Sequence, residues 1–242
     1  MRSALFAAEN LEKESEQPGL RLQNSKMLKI ELRGEAMART GSMVAYQGQV
    51  QFQALGSGGM GKWLKQKLTG EGVPLMKISG NGDVFLADRA SDVHIIDLEH
   101  GDALSINGTN VLAFESTLQY DIKMVQGVGM LSSAGLFNCV FSGQGRIAVT
   151  THGTPVVLNV DQPTYVDPQA AICWSSTLQT GYHRAEQLGI GTLLGRSTGE
   201  AFTMSFAGQG FVVVQPSEEP PPNLAGASGQ QQGGPLGGLF NG

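Results

Sequence analysis

Four histidines, two cysteines and a recurring Gly-x-Gly are the residues of this 242-residue chain whose types and spacing could do chemistry. The glycine pairs are Gly80/Gly82, Gly143/Gly145 and Gly208/Gly210, and His152 follows seven residues after Gly145. A phosphate-cradling loop needs such glycines at a strand-to-helix junction, where the helix N-terminus faces the anion. Here they run into DVFLA, RIAVT and FVVVQ, all strand-like. The expected structure is therefore a strand, a hairpin turn with Gly at positive φ, and another strand. No nucleotide or other cofactor is implied.

The remaining candidates are equally plain. His94, His100, His152 and His183 include no His-x-His pair, and they do not recur at one repeat position. They read as surface or turn histidines rather than metal ligands. Cys139 (in LFNCVF) and Cys173 (in AAICWSS) lie in apolar runs and read as buried, reduced thiols. No serine occupies a nucleophile elbow. Asp88 and Asp92 flank a turn and read as solvated, while Glu71 and Glu200 are expected to anchor backbone amides. The sequence nominates no catalytic, cofactor-binding or metal-ligating set, and a non-enzymatic role is expected.

Composition supports a β protein. Charged residues are 15% of the chain and glycines number 34, which suits many short strands joined by tight turns. A net charge of −5 argues against a nucleic-acid partner, whose footprint would be basic. The N-terminus lacks the apolar core of a signal peptide, and no apolar run is long enough to span a bilayer. A soluble, cytoplasmic protein is expected.

Positioning elements emerge from a repeat. The three Gly-x-Gly copies are 63 and 65 residues apart, with apolar or alternating segments on both sides. Residues 100–122 match residues 160–182, each with a turn, a β-rich run ending in Phe114 or Trp174, and then STLQ. Residues 33–54 form a third copy in which Tyr46 takes the aromatic position. Tyr46, Phe114 and Trp174 are expected to pack in a core around a pseudo-axis. The expected domain spans residues 20–215, with three units of about 64 residues in a closed, pseudo-threefold all-β assembly. One of those units would be formed jointly by a half-unit near the N-terminus (24–54) and another at the C-terminal end (198–215). Closure removes exposed strand edges.

Around that domain lie a helical or flexible N-terminal segment (1–19) and a Pro/Gly/Gln-rich tail (216–242) expected to be disordered. Short connector helices are expected over 59–72 and 183–200. The first carries Lys62, Trp63, Lys65 and Lys67. It reads first as a cap on the β core with solvated lysines, and second as a surface for anionic membrane lipid. In the tail, PLGGLF (235–240) reads as passive or as a short partner-binding peptide.

Taken in order, GSMVAYQGQVQF (41–52), GNGDVFLA, GDALSINGTNVLAFESTLQYDI, FSGQGRIAV and TGEAFTMSFAGQGFVVVQ resemble the AIM24 family over about residues 20–215. The fungal member is a mitochondrial inner-membrane-associated biogenesis protein. The resemblance implies a β-rich fold similar to that of the tryptophan RNA-binding attenuation protein, built from three similar units. It implies no catalytic residues. This N-terminus does not read as a mitochondrial targeting segment, so the cellular role carries over as analogy. The expected function is a non-enzymatic scaffold or interaction protein, self-associating and peripherally membrane-linked. The alternative is a small-molecule or RNA binding module using a groove between units.

Overall fold

The structure, a computed structural model, describes residues 3–13, 17–55, 73–124, 137–183 and 203–217. The connector carrying Lys62, Trp63, Lys65 and Lys67 lies outside the described residues, as do Glu71, Glu200, the second connector beyond His183 and the tail beyond Ser217.

Alternating and apolar runs punctuated by glycine fold as strands throughout. Two 3-10 turns, Ala4–Phe6 and Ala8–Asn10, precede β1 (Gly19–Asn24). Three long strands follow: β2 (Met27–Arg39), β3 (Met43–Ala54) and β4 (Leu75–Leu86). Next come β5 (Asp92–Leu98), β6 (Ala103–Asn107), β7 (Val111–Glu115), β8 (Gln119–Met124), β9 (Phe137–Ser142) and β10 (Gly145–Thr151). The last six are β11 (Val156–Val160), β12 (Thr164–Val166), β13 (Ala171–Ser175), β14 (Gln179–His183), β15 (Thr203–Ala207) and β16 (Gly210–Val214). All pairings are antiparallel.

Strand pairing defines the repeat. β10 pairs with β5 and β7, and β9 with β6 and β8. Six strands later, β16 pairs with β11 and β13, and β15 with β12 and β14. The first unit makes the same ladder with unbroken strands: β4 runs along β2 from Leu28–Leu86 to Arg39–Leu75, and along β3 from Met43–Leu86 to Ala54–Met76. The units are therefore consecutive, at residues 27–86, 92–151 and 156–214.

This corrects the expected phase by half a unit. Among the described residues no unit is formed jointly by the two ends: β3 pairs with β4, while β15 and β16 pair within the third unit. A period alone leaves the phase open, because any start point gives the same spacing. The long stretches 55–74, 125–136 and 184–202 look like boundaries but fall inside units, between equivalent strands. The true links are the short segments 87–91 and 152–155.

The glycine pairs also differ from expectation in one respect. A strand follows each, as expected, but β9 and β10 belong to different sheets, so Gly143 (φ +101°) turns a corner rather than a hairpin. In the first unit the equivalent passage stays within β4. There Gly80 has φ +128°, and a Cβ on it would lie 2.1 Å from the Gln49 carbonyl oxygen.

Three sheets result. The seven-stranded sheet, ordered β3-β4-β2-β7-β10-β5 with β1 also on β2, joins the first unit to half of the second. The six-stranded sheet, β11-β16-β13-β6-β9-β8, joins the other half of the second to half of the third. The three-stranded sheet, β12-β15-β14, comes from the third unit alone. Two seams between units, β2–β7 and β6–β13, thus hold the body together.

Candidate functional site: an unfilled seam at the ends of the repeat

Each filled seam is built by one strand position. Phe114 of β7 lies opposite Met37 of β2, and Trp174 of β13 lies opposite Ser105 of β6. Before both aromatics the strand carries a one-residue bulge, at Leu112 and at Ile172. The same bulge occurs in the first unit at Val44, before Tyr46. Bulges re-aim side chains, and here they recur at the joining strand of every unit.

Burial separates the three copies. Leu112 and Phe114 are both 0% exposed, and Ile172 and Trp174 are 1% and 3% exposed. Val44 and Tyr46 are 56% and 49% exposed. The core expectation therefore holds for Phe114, which packs edge-on at 4.9 Å from Phe141, and for Trp174, 5.5 Å from Phe206. It fails for Tyr46, whose ring contact is with the partly buried Phe52 at 5.4 Å. Among the described residues no strand pairs with that edge of β3. Burying a side chain of this size is worth about 1.5–3 kcal/mol, which positions 114 and 174 obtain and position 46 does not. The equivalent strand of the third unit is β12, at the end of its sheet among the described residues, with Tyr165 53% exposed.

Polar clamps complete the filled seams. At the end of β2, Arg39 donates to the Thr109 carbonyl at 2.9 Å and to Thr150 Oγ1 at 3.1 Å, and pairs with Asp88 at 3.0 Å. Burial pushes its guanidinium down from the usual arginine range, against the pull of Asp88. At the end of β6, Asn107 donates to the Pro168 and Ala171 carbonyls, both at 3.2 Å, while its oxygen accepts from the Thr109 amide. At the end of β12 stands Asp167. It keeps the accepting role, toward the amides of Gln169 (2.7 Å) and Ala170 (3.3 Å), but as a carboxylate it has no proton to donate onward.

A second cluster, on the paired strands β2 and β4 of the first unit, was not anticipated. Lys29 is 2% exposed, yet its ammonium donates to Glu12 Oε1 at 2.7 Å and to the Lys13 carbonyl at 2.9 Å. Asp83 Oδ2 lies 3.2 Å away, and the Phe85 ring centroid 5.8 Å. Gln23 exchanges hydrogen bonds with the Leu11 carbonyl and the Lys13 amide. The N-terminal segment is thereby clasped to the sheet. The sequence signal was Lys29 itself, a charge inside the apolar run MLKIEL.

The other sequence candidates stay apart. His94 Nε2 sits 3.0 Å from Thr151 Oγ1, and the backbone amide of His152 donates to Gln215. His100 lies in a turn, and His183 ends β14. Cys139 and Cys173 are buried free cysteines on β9 and β13, and burial pushes both thiols up to about 12. Among the described residues no three His, Cys, Asp or Glu side chains group closely enough to hold a metal ion. No helix among them is long and apolar enough to cross a membrane.

Repeated β units joined through shared sheets, with a recurring bulge at each joining strand, define a tandem β-repeat protein. A family model described as mitochondrial biogenesis AIM24 matches residues 20–217, and the chain belongs to that family. No curated protein matches the chain. The chain is similar to the X-ray structure of protein SPYM3_0169 from Streptococcus pyogenes, with a TM-score of 0.64 at 20% identity over 87% of this chain and 97% of that one. At that identity the likeness speaks to fold alone.

Proposed function

We propose that this protein is a non-enzymatic scaffold that associates with further copies of itself and does its work next to a membrane. The observation that carries the first part is the exposed joining strand of the first unit, where Met43, Val44 and Tyr46 lie at positions that the other units bury. Contiguous exposed apolar side chains on a sheet edge are an association surface. The membrane part draws on the sequence pattern at Lys62, Trp63, Lys65 and Lys67, a basic amphipathic stretch suited to anionic lipid.

Sedimentation velocity of the full chain from low to high micromolar concentration tests self-association. A monomer throughout removes that part of the reading. Flotation with phosphatidylserine-containing vesicles, with and without K62E, K65E and K67E together, tests the second part. Identical flotation of the two forms removes it.

A further inference from the structure

We infer that copies of this protein join head to tail, with β3 of one chain pairing antiparallel with β12 of the next so that Tyr46 lies opposite Tyr165. This deepens the self-association reading and rests on it. The contact would be a third instance of the seam that the chain already makes twice within itself.

The register follows from the repeat. Tyr46 pairs with Val84 as Phe114 does with Ile147 and Trp174 with Val212, so these three side chains are equivalent. Gln119 and Gln179, shared by the two STLQ copies, pair with Ser142 and Ala207. Counting along those strands makes Val140 equivalent to Ser205, and hence their partners Ser105 and Tyr165 equivalent. Ser105 is the residue opposite Trp174. The incoming strand therefore sets Tyr46 against Tyr165 and Ala45 against Val166.

The second copy is the occupant because the seam is a property of this repeat. Val44 carries the bulge that Leu112 and Ile172 carry, and is 56% exposed where they are 0% and 1%. The surfaces on the two strands differ, so the contact is heterologous and propagates from chain to chain, closing a ring only if the rotation per copy permits. Asp167 sets its strength. Its neighbours at the equivalent places, Arg39 and Asn107, donate into the next unit, and Asp167 has no donor. The intermolecular seam lacks that clamp, which makes it the weakest of the three.

Full-length Y46C and Y165C chains, mixed and oxidised mildly, test the register, with Cys139 and Cys173 buried and unreactive. The expected product is a mixed disulfide dimer, with neither variant cross-linking to itself and the Y46C/Y165C double variant giving a ladder. Both substitutions remove exposed side chains, and V44K provides an independent arm that should abolish assembly in sedimentation. D167N should tighten it about fivefold to tenfold by restoring a donor. Dimers of Y46C with itself, or a double variant locked as a monomer by an internal disulfide, would overturn the inference. Oligomers that persist without the 46–165 cross-link would overturn it while leaving self-association standing. A monomeric native chain would end both.

Discussion

Lys29 and Asp83, on the paired strands β2 and β4, hold an ammonium and a carboxylate 3.2 Å apart where the lysine is 2% exposed. Glu12, brought in by the N-terminal segment, supplies the shorter contact at 2.7 Å. Replacing Lys29 with methionine leaves Glu12 and Asp83 together without the cation between them. The expected cost is about 3 kcal/mol, read as a lower urea midpoint. Amide exchange over residues 5–13 should accelerate, since the clasp is what ties that segment down.

The same cluster fixes a pH dependence. The Lys29 hydrogen bond, opposed by partial burial, holds the Glu12 carboxyl below its ordinary 4.5. A depressed acid contributes stability above its unfolded value and loses it as pH falls through the folded one. For Lys29, burial alone would lower the ammonium, but Glu12 and Asp83 outweigh it and raise it above 10.5. That contribution is complete below 10.5 and disappears as pH rises through the folded value. E12Q should therefore lower Tm near neutral pH, and the gap to the parent chain should narrow below about pH 4.

Phe114 and Tyr46 occupy one repeat position in two environments. Phe114→Ala should cost about 3–5 kcal/mol, and Tyr46→Ala less than about 1 kcal/mol in a dilute monomer. Guanidinium denaturation of both variants checks this. Equal costs would mean that Tyr46 is covered.

Asn107→Asp imitates the residue found at position 167. It keeps the acceptor for the Thr109 amide and removes the donors to Pro168 and Ala171. A loss of about 1–2 kcal/mol is expected, with the third unit melting ahead of the rest as a separate transition.

Gly80→Ala should be among the most damaging small substitutions. The new Cβ would meet the Gln49 carbonyl oxygen at 2.1 Å, and φ +128° disfavours any side chain there. Gly101→Ala, at φ +97° with nothing within 4 Å, carries the backbone strain alone, about 1–2 kcal/mol. Comparing their thermal midpoints separates contact from strain.

Local signals were the legible ones. Glycine spacing, alternating runs and the STLQ pair revealed an all-β repeat, and the apolar runs around Cys139 and Cys173 placed both thiols in the interior. Pairing was not legible, because a ladder partner leaves no mark on a single strand. The half-unit error in phase followed, and so did the misplacement of Tyr46, whose surroundings depend on which strand pairs with β3. Lys29 and Arg39 were missed for a related reason. Their partners, Glu12 and Thr109, are distant in sequence, so no local pattern singled either residue out.

Sheets shared between units have a consequence for how this body forms at all. Separate single-unit chains would have to find one another at a rate set by their concentration. Joined through residues 87–91 and 152–155, neighbours meet at the high effective concentration of a short tether. Covalent linkage thus converts what would be a trimerisation into a unimolecular event, indifferent to dilution. By the same logic an excised unit is not a miniature of the whole, since its joining strands would be left without the neighbour across the seam.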